Sequence, residues 1–156
     1  LRAQQFDICH PTLSSSSQPV NSAVFATALD CGEANDIHPQ AKHTVGHRVA
    51  LQLMKHSYGE KLVSEGPVPV KCERKGGTIV ISFSKETGKL RQFDDGIAKT
   101  SGDYELTINV NALEKAKTST YGIKGNTFCY AHDEFPLCTI YNKEGIASGA
   151  FNINME

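Results

Sequence analysis

Apolar and polar positions fall into two textures along this chain. In the first, residues 21–29 (Asn-Ser-Ala-Val-Phe-Ala-Thr-Ala-Leu) form a short apolar run after serines 14–17. Such a run predicts a buried strand, apolar on both faces as parallel strands are. Residues 30–39 read as a loop, and Pro39 suits the first turn of a following helix. That helix is predicted over residues 39–57, with Val45, Val49, Leu53 and His56 recurring every three or four positions as its inward stripe. Lys55 and His56 fall in the last turn, where cations are favoured, and Gly59 is placed to close it. Strand, loop and helix in this order have α/β character.

After Gly59 the texture changes. Residues 61–69 read as a linker, and short alternating or β-branched runs follow at 68–74, 78–83, 89–93, 104–110, 119–123 and 139–142. Turn residues such as Gly76-Gly77, Gly88, Gly96 and Gly102 separate them, a rhythm that predicts an all-β antiparallel sandwich. A boundary near residue 62 therefore divides the chain into an α/β tail, residues 1–62, and a β-sandwich domain, residues 63–156. One strand and one helix cannot enclose a core. The tail is accordingly expected to complete a sheet supplied elsewhere. With Leu1 rather than Met at its start, the chain is expected to begin inside a longer precursor.

Charge narrows the partners. Sixteen basic and 17 acidic residues give a formal net charge of -1, so no single-sign field points to nucleic acid. The apolar runs fall far short of the ~20 residues a membrane helix needs. There is no signal-peptide pattern at the start and no N-x-[ST] sequon. The five cysteines show no zinc spacing. Cys129 and Cys138 bracket a short loop, which favours a disulfide and with it a secreted or lysosomal setting. The other reading is a set of buried, reduced core thiols.

The stretch with the most chemistry is Asn35-Asp36-Ile37-His38-Pro39. A carboxylate just before a histidine, in a loop that enters a helix, suits a serine esterase. There an imidazole takes the proton of a serine hydroxyl and a carboxylate steadies the imidazolium. Alone, the string is weak, since Asp36 also suits an acceptor at a helix start. His43 and His47 lie one turn apart, as metal ligands on a helix do, but an exposed helix face accounts for them. Asp94-Asp95-Gly96 and Asp133-Glu134 read as acidic turns before they read as calcium sites.

In its wider context the stretch resembles a known family. Asp36-Ile-His-Pro39, Lys42, Val45-Gly-His-Arg-Val-Ala50 and Tyr58-Gly-Glu60 are similar to the end of the SGNH-type catalytic domain of sialate O-acetylesterases. The likeness continues through Glu65-Gly-Pro-Val-Pro69 and reappears in Tyr121-Gly122 and in Cys129 to Cys138-Thr-Ile-Tyr-Asn142; residues 75–117 match poorly. The resemblance implies that His38 is the catalytic base of an enzyme needing no cofactor. It also implies that the nucleophilic serine, set in a Gly-Gln-Ser-type turn, lies on another chain or on an N-terminal part of the same precursor. No such turn occurs here, and serines 14–17, Ser57 and Ser148 lack its context. The family more often places Asp three residues before His, where this chain has Asn35. The orienting group is therefore either Asp36 or a backbone carbonyl. The substrate implied is an O-acetyl ester of sialic acid or a related sugar. The contrasting expectation is a non-enzymatic descendant that keeps the fold as a carbohydrate-binding or structural module.

Overall fold

The computed structural model describes residues 2–10, 23–36, 38, 40–116, 118 and 120–156. A four-stranded antiparallel sheet is built from β1 (Pro69–Lys75), β2 (Thr78–Phe83), β3 (Ala98–Thr100) and β4 (Glu105–Asn109), in the order β1-β2-β4-β3. A second antiparallel sheet holds β5 (Tyr121–Lys124), β6 (Thr127–Tyr130) and β7 (Phe151–Asn154) in sequential order. Among the described residues three α-helices accompany them, α1 (Arg2–Cys9), α2 (Lys42–Tyr58) and α3 (Val110–Ala116), with one short 3-10 turn at Lys85–Thr87.

Strand alternation explains the core. In β2, Ile79, Ile81 and Phe83 face inward while the residues between them do not, as the two-residue period of a strand requires. Leu106 and Ile108 of β4 lie opposite Ile81 and Ile79. Phe128, Tyr130, Phe151 and Ile153 of the second sheet join the same buried cluster, so the two sheets share one core. The tight turns are set by glycine: Gly76 and Gly125 hold φ of 61° and 60° at the β1–β2 and β5–β6 hairpins, a region other residues enter at a cost. Glu156 lies alongside β1, accepting the Arg74 N–H at its carbonyl and donating its own N–H to the Cys72 carbonyl.

Several expected elements take other forms. The predicted strand at 21–29 forms no ladder over its described residues, 23–29. Instead, the carbonyls of Phe25 and Thr27 accept the side chains of Gln52 (2.6 Å) and Arg48 (2.9 Å). The match is geometric, because four helical residues and two extended residues both rise about 6 Å. The expected inward stripe of α2 is therefore turned outward: Arg48 and Gln52 are buried, whereas Val49 and Leu53 are 44% and 49% exposed. The helix ends where predicted, with Gly59 at φ 73° and its N–H on Met54.

Segments 89–93 and 139–142 meet only at one bridge, Leu90 opposite Asn142. Asn142 is spent instead on joining loops, donating from Nδ2 to the carbonyls of Glu65 and Thr87 and accepting the Ile146 N–H at Oδ1. The run expected as a strand through residue 110 stops at Asn109, whose side chain accepts the Ala112 N–H and starts α3.

The expected Cys129–Cys138 disulfide is absent, and all five cysteines are free thiols. The reason lies in the pleat. Tyr130 Oη accepts the N–H groups of Thr139 and Ile140, which seats the 138–140 segment on the Tyr130 face of β6. Cys129, the neighbouring residue, points to the other face. The secreted or lysosomal expectation thus loses the disulfide that motivated it.

Candidate functional site

The loop that leads into α2 is fixed at its root by charge. Arg48 meets Asp30 with both terminal nitrogens, at 2.6 and 2.8 Å. Tyr141 donates its hydroxyl to the same carboxylate at 3.2 Å. Burial pushes the Asp30 carboxyl upward, but the Arg48 bonds and charge outweigh it and hold the group below its usual range. Cys31 follows, its Sγ 3.7 Å from Asp30 and 3.8 Å from Arg48. Burial, then the Asp30 charge, keep this thiol above its ordinary value, which makes it a poor nucleophile.

From that root the chain makes a short turn in which Glu33 and Asp36 bridge, and it then reaches His38. The two predicted site residues are brought together, though through the backbone: Asp36 Oδ1 accepts the His38 N–H at 2.8 Å. Both side chains are exposed. Ile37 and Pro39 lie outside the described residues. The carboxylate thus shapes the loop that carries the imidazole.

A cleft of about 800 Å³ opens beside this loop, lined by Glu33 and Asp36 on one side and by Glu134 and Phe135 on the other. The far wall is pinned from α1: the Arg2 guanidinium donates to the carbonyls of Asp133 and Glu134. Phe135, 54% exposed, lies against Gly32, where a Cβ would sit 3.7 Å from its ring.

Other sequence candidates take structural roles or none. Ser148 is buried and donates to the Pro67 carbonyl, so it is not an accessible nucleophile. Asp94 and Asp95 use their Oδ1 atoms to accept N–H groups of Gly96, Ile97 and Ala98, which is the acidic-turn reading. His43 and His47 are exposed on α2, and no cluster of three metal-ligating side chains occurs among the described residues. Among those residues no helix is long and apolar enough to cross a membrane. Serines 14–17 lie outside the described residues. Sequence reasoning passed over Asp30, Arg48, Arg2 and Phe135. The signal for Arg48 was a charge inside the Val45–Ala50 motif, on the flank of the stripe assumed to face the core.

No protein-family model matches the chain, and no curated protein matches it in sequence. A similar solved structure is that of a carbohydrate acetylesterase from Xanthomonas citri, 24% identical, with a TM-score of 0.62, covering 80% of this chain and 31% of that one. The chain thus spans about a third of that neighbour's length, and what the two share is a fold.

Proposed function

We propose that this chain is the histidine-bearing C-terminal part of an SGNH-type serine esterase that removes O-acetyl groups from sugars, sialic acid or a related one. The observation that supports it most is the fold shared with a carbohydrate acetylesterase over four-fifths of the chain. In this reading residues 1–62 end a catalytic α/β domain and residues 63–156 form its accessory domain. The serine belongs to an N-terminal part of the same precursor or to a partner chain.

The chemistry assigned to this chain is proton traffic at His38. The serine hydroxyl attacks the acetyl carbonyl as His38 takes its proton. The tetrahedral intermediate collapses, the sugar hydroxyl departs with that proton, and an acetyl-serine remains. Water, deprotonated by His38, then releases acetate and restores the serine. Asp36 acts as a positioning residue, because its carboxylate holds the His38 backbone. The outward face of α2, with Val49, Leu53 and Met54 exposed, is the surface on which the missing sheet would pack.

The same Asp36 bond favours a second reading. A carboxylate committed to a backbone N–H suits a binding or structural descendant that no longer needs an oriented imidazole. Acetate release from an acetylated sugar by the full-length protein separates the two. His38→Ala is expected to cut turnover by about 10³-fold or more. Turnover retained in that variant would remove His38 from the mechanism.

A further inference from the structure

The cleft beside the His38 loop carries a chemical bias. Two aromatic rings line it, the half-buried Phe25 and the exposed Phe135, and Phe135 is held out by a loop that is fastened on both sides. Arg2 engages the two carbonyls before it, of Asp133 and Glu134, and Pro136 after it is buried. The ring rests on Gly32, within the loop that runs from Asp30 to His38. An exposed aromatic face on a rigid support, ringed by hydrogen-bonding groups, is the chemistry that recognises a sugar ring. The face covers the ring's C–H groups while polar neighbours take its hydroxyls.

The charges around it are one-sided. Glu33, Asp36 and Glu134 line the cleft against a single guanidinium, Arg2, and that guanidinium is already engaged on backbone carbonyls. An anionic sugar would bring its carboxylate among three others, and the one cation lining the cleft already donates to two backbone carbonyls. A neutral sugar avoids that repulsion and finds carboxylate acceptors for its hydroxyls, with Gln5 and Asn35 also lining the cleft.

We infer that the cleft takes the ring of a neutral acetylated sugar, stacked on Phe135, and discriminates against sialic acid. The inference rests on the acetylesterase reading for its ligand class and sets a neutral sugar in place of the sialic acid named there.

Binding is the test, because it needs no turnover. The full-length protein is titrated with an acetylated methyl xyloside and with an O-acetylated sialic acid, followed by NMR or calorimetry. The xyloside is expected to bind at least about tenfold more tightly. Phe135→Ala is expected to weaken it by about tenfold and Phe135→Tyr to retain it. Glu33→Gln with Glu134→Gln is expected to raise affinity for the sialic acid. Equal or tighter binding of the sialic acid by the unmodified protein, no binding of the xyloside, or xyloside binding unchanged in Phe135→Ala overturns the inference. Loss of esterase activity with this binding pattern intact would count against the proposed reaction and leave the sugar site standing.

Discussion

Arg48 and Asp30 form a two-point ion pair whose side chains are 4% and 15% exposed, and it ties α2 to the start of the His38 loop. A buried pair of this kind is costly to break because the survivor keeps its charge without a partner. Arg48→Met is expected to destabilise the protein by about 3 kcal/mol in denaturant unfolding, and the double variant with Asp30→Asn by less than the single. The pH dependence has a definite sign. Asp30 titrates below its ordinary value in the folded state, so its contribution is complete above that value. It is lost as pH falls through the ordinary value toward the folded one. The gap between wild type and Arg48→Met should therefore hold near neutrality and close below about pH 4. A gap that persists into stronger acid would show that the pair's charge is not its source.

Asn142 is fully buried and joins three separate loops through one amide. It donates to Glu65 (3.0 Å) and Thr87 (2.9 Å) and accepts from Ile146 (2.8 Å). Asn142→Ala leaves two carbonyls and one N–H without these partners, so a loss of about 2–4 kcal/mol is expected. Asn142→Asp should be no better, since it keeps the acceptor, removes both donors and buries a charge. Thermal unfolding of the two variants against wild type decides this.

Free thiols at Cys72, Cys129 and Cys138 have a chemical consequence. Burial, the largest influence on each, lifts Cys72 to about 11 and Cys138 to about 12, so both stay protonated near neutrality. Alkylation of the native protein at neutral pH should be slow at these two positions and become complete on unfolding. Peptide mapping without reductant should find no link between Cys129 and Cys138. Recovery of that linked peptide would mean that β6 does not present its faces as described.

Where one period governs a segment, the sequence was easy to read. Strand β2 was legible to the residue because Ile79, Ile81 and Phe83 alternate cleanly, and Gly59 marked the end of α2. Strand β6 was missed although Gly125-Asn126 is a two-residue hairpin signal; Cys129 inside it was read as half of a disulfide. The facing of α2 was misread for a physical reason. Burial here follows hydrogen-bond geometry, with Arg48 and Gln52 reaching the carbonyls of Thr27 and Phe25, and a hydrophobic stripe carries no information about carbonyls two residues apart on a distant segment. Asp36 and His38 were legible as neighbours. The cleft was not, because it depends on Arg2 and Phe135, which are 133 positions apart in the sequence.

The outward stripe of α2 separates what this chain needs from what its proposed partner needs. Val49 and Leu53 lie one turn apart and are about half exposed, so Leu53→Glu removes little buried contact within the chain. Its unfolding free energy is expected to change by no more than about 0.5 kcal/mol. If a sheet from another segment packs on this face, the same substitution places a carboxylate in that contact. It should then lower the stability of the full-length protein by several-fold more, about 2–4 kcal/mol. Glu60→Gln, just beyond the helix at an exposed position, serves as the control and should be silent in both settings. Equal, small effects of Leu53→Glu in the chain and in the full-length protein would show that this face is open to solvent in the working molecule, and the partner sheet would have to be sought elsewhere.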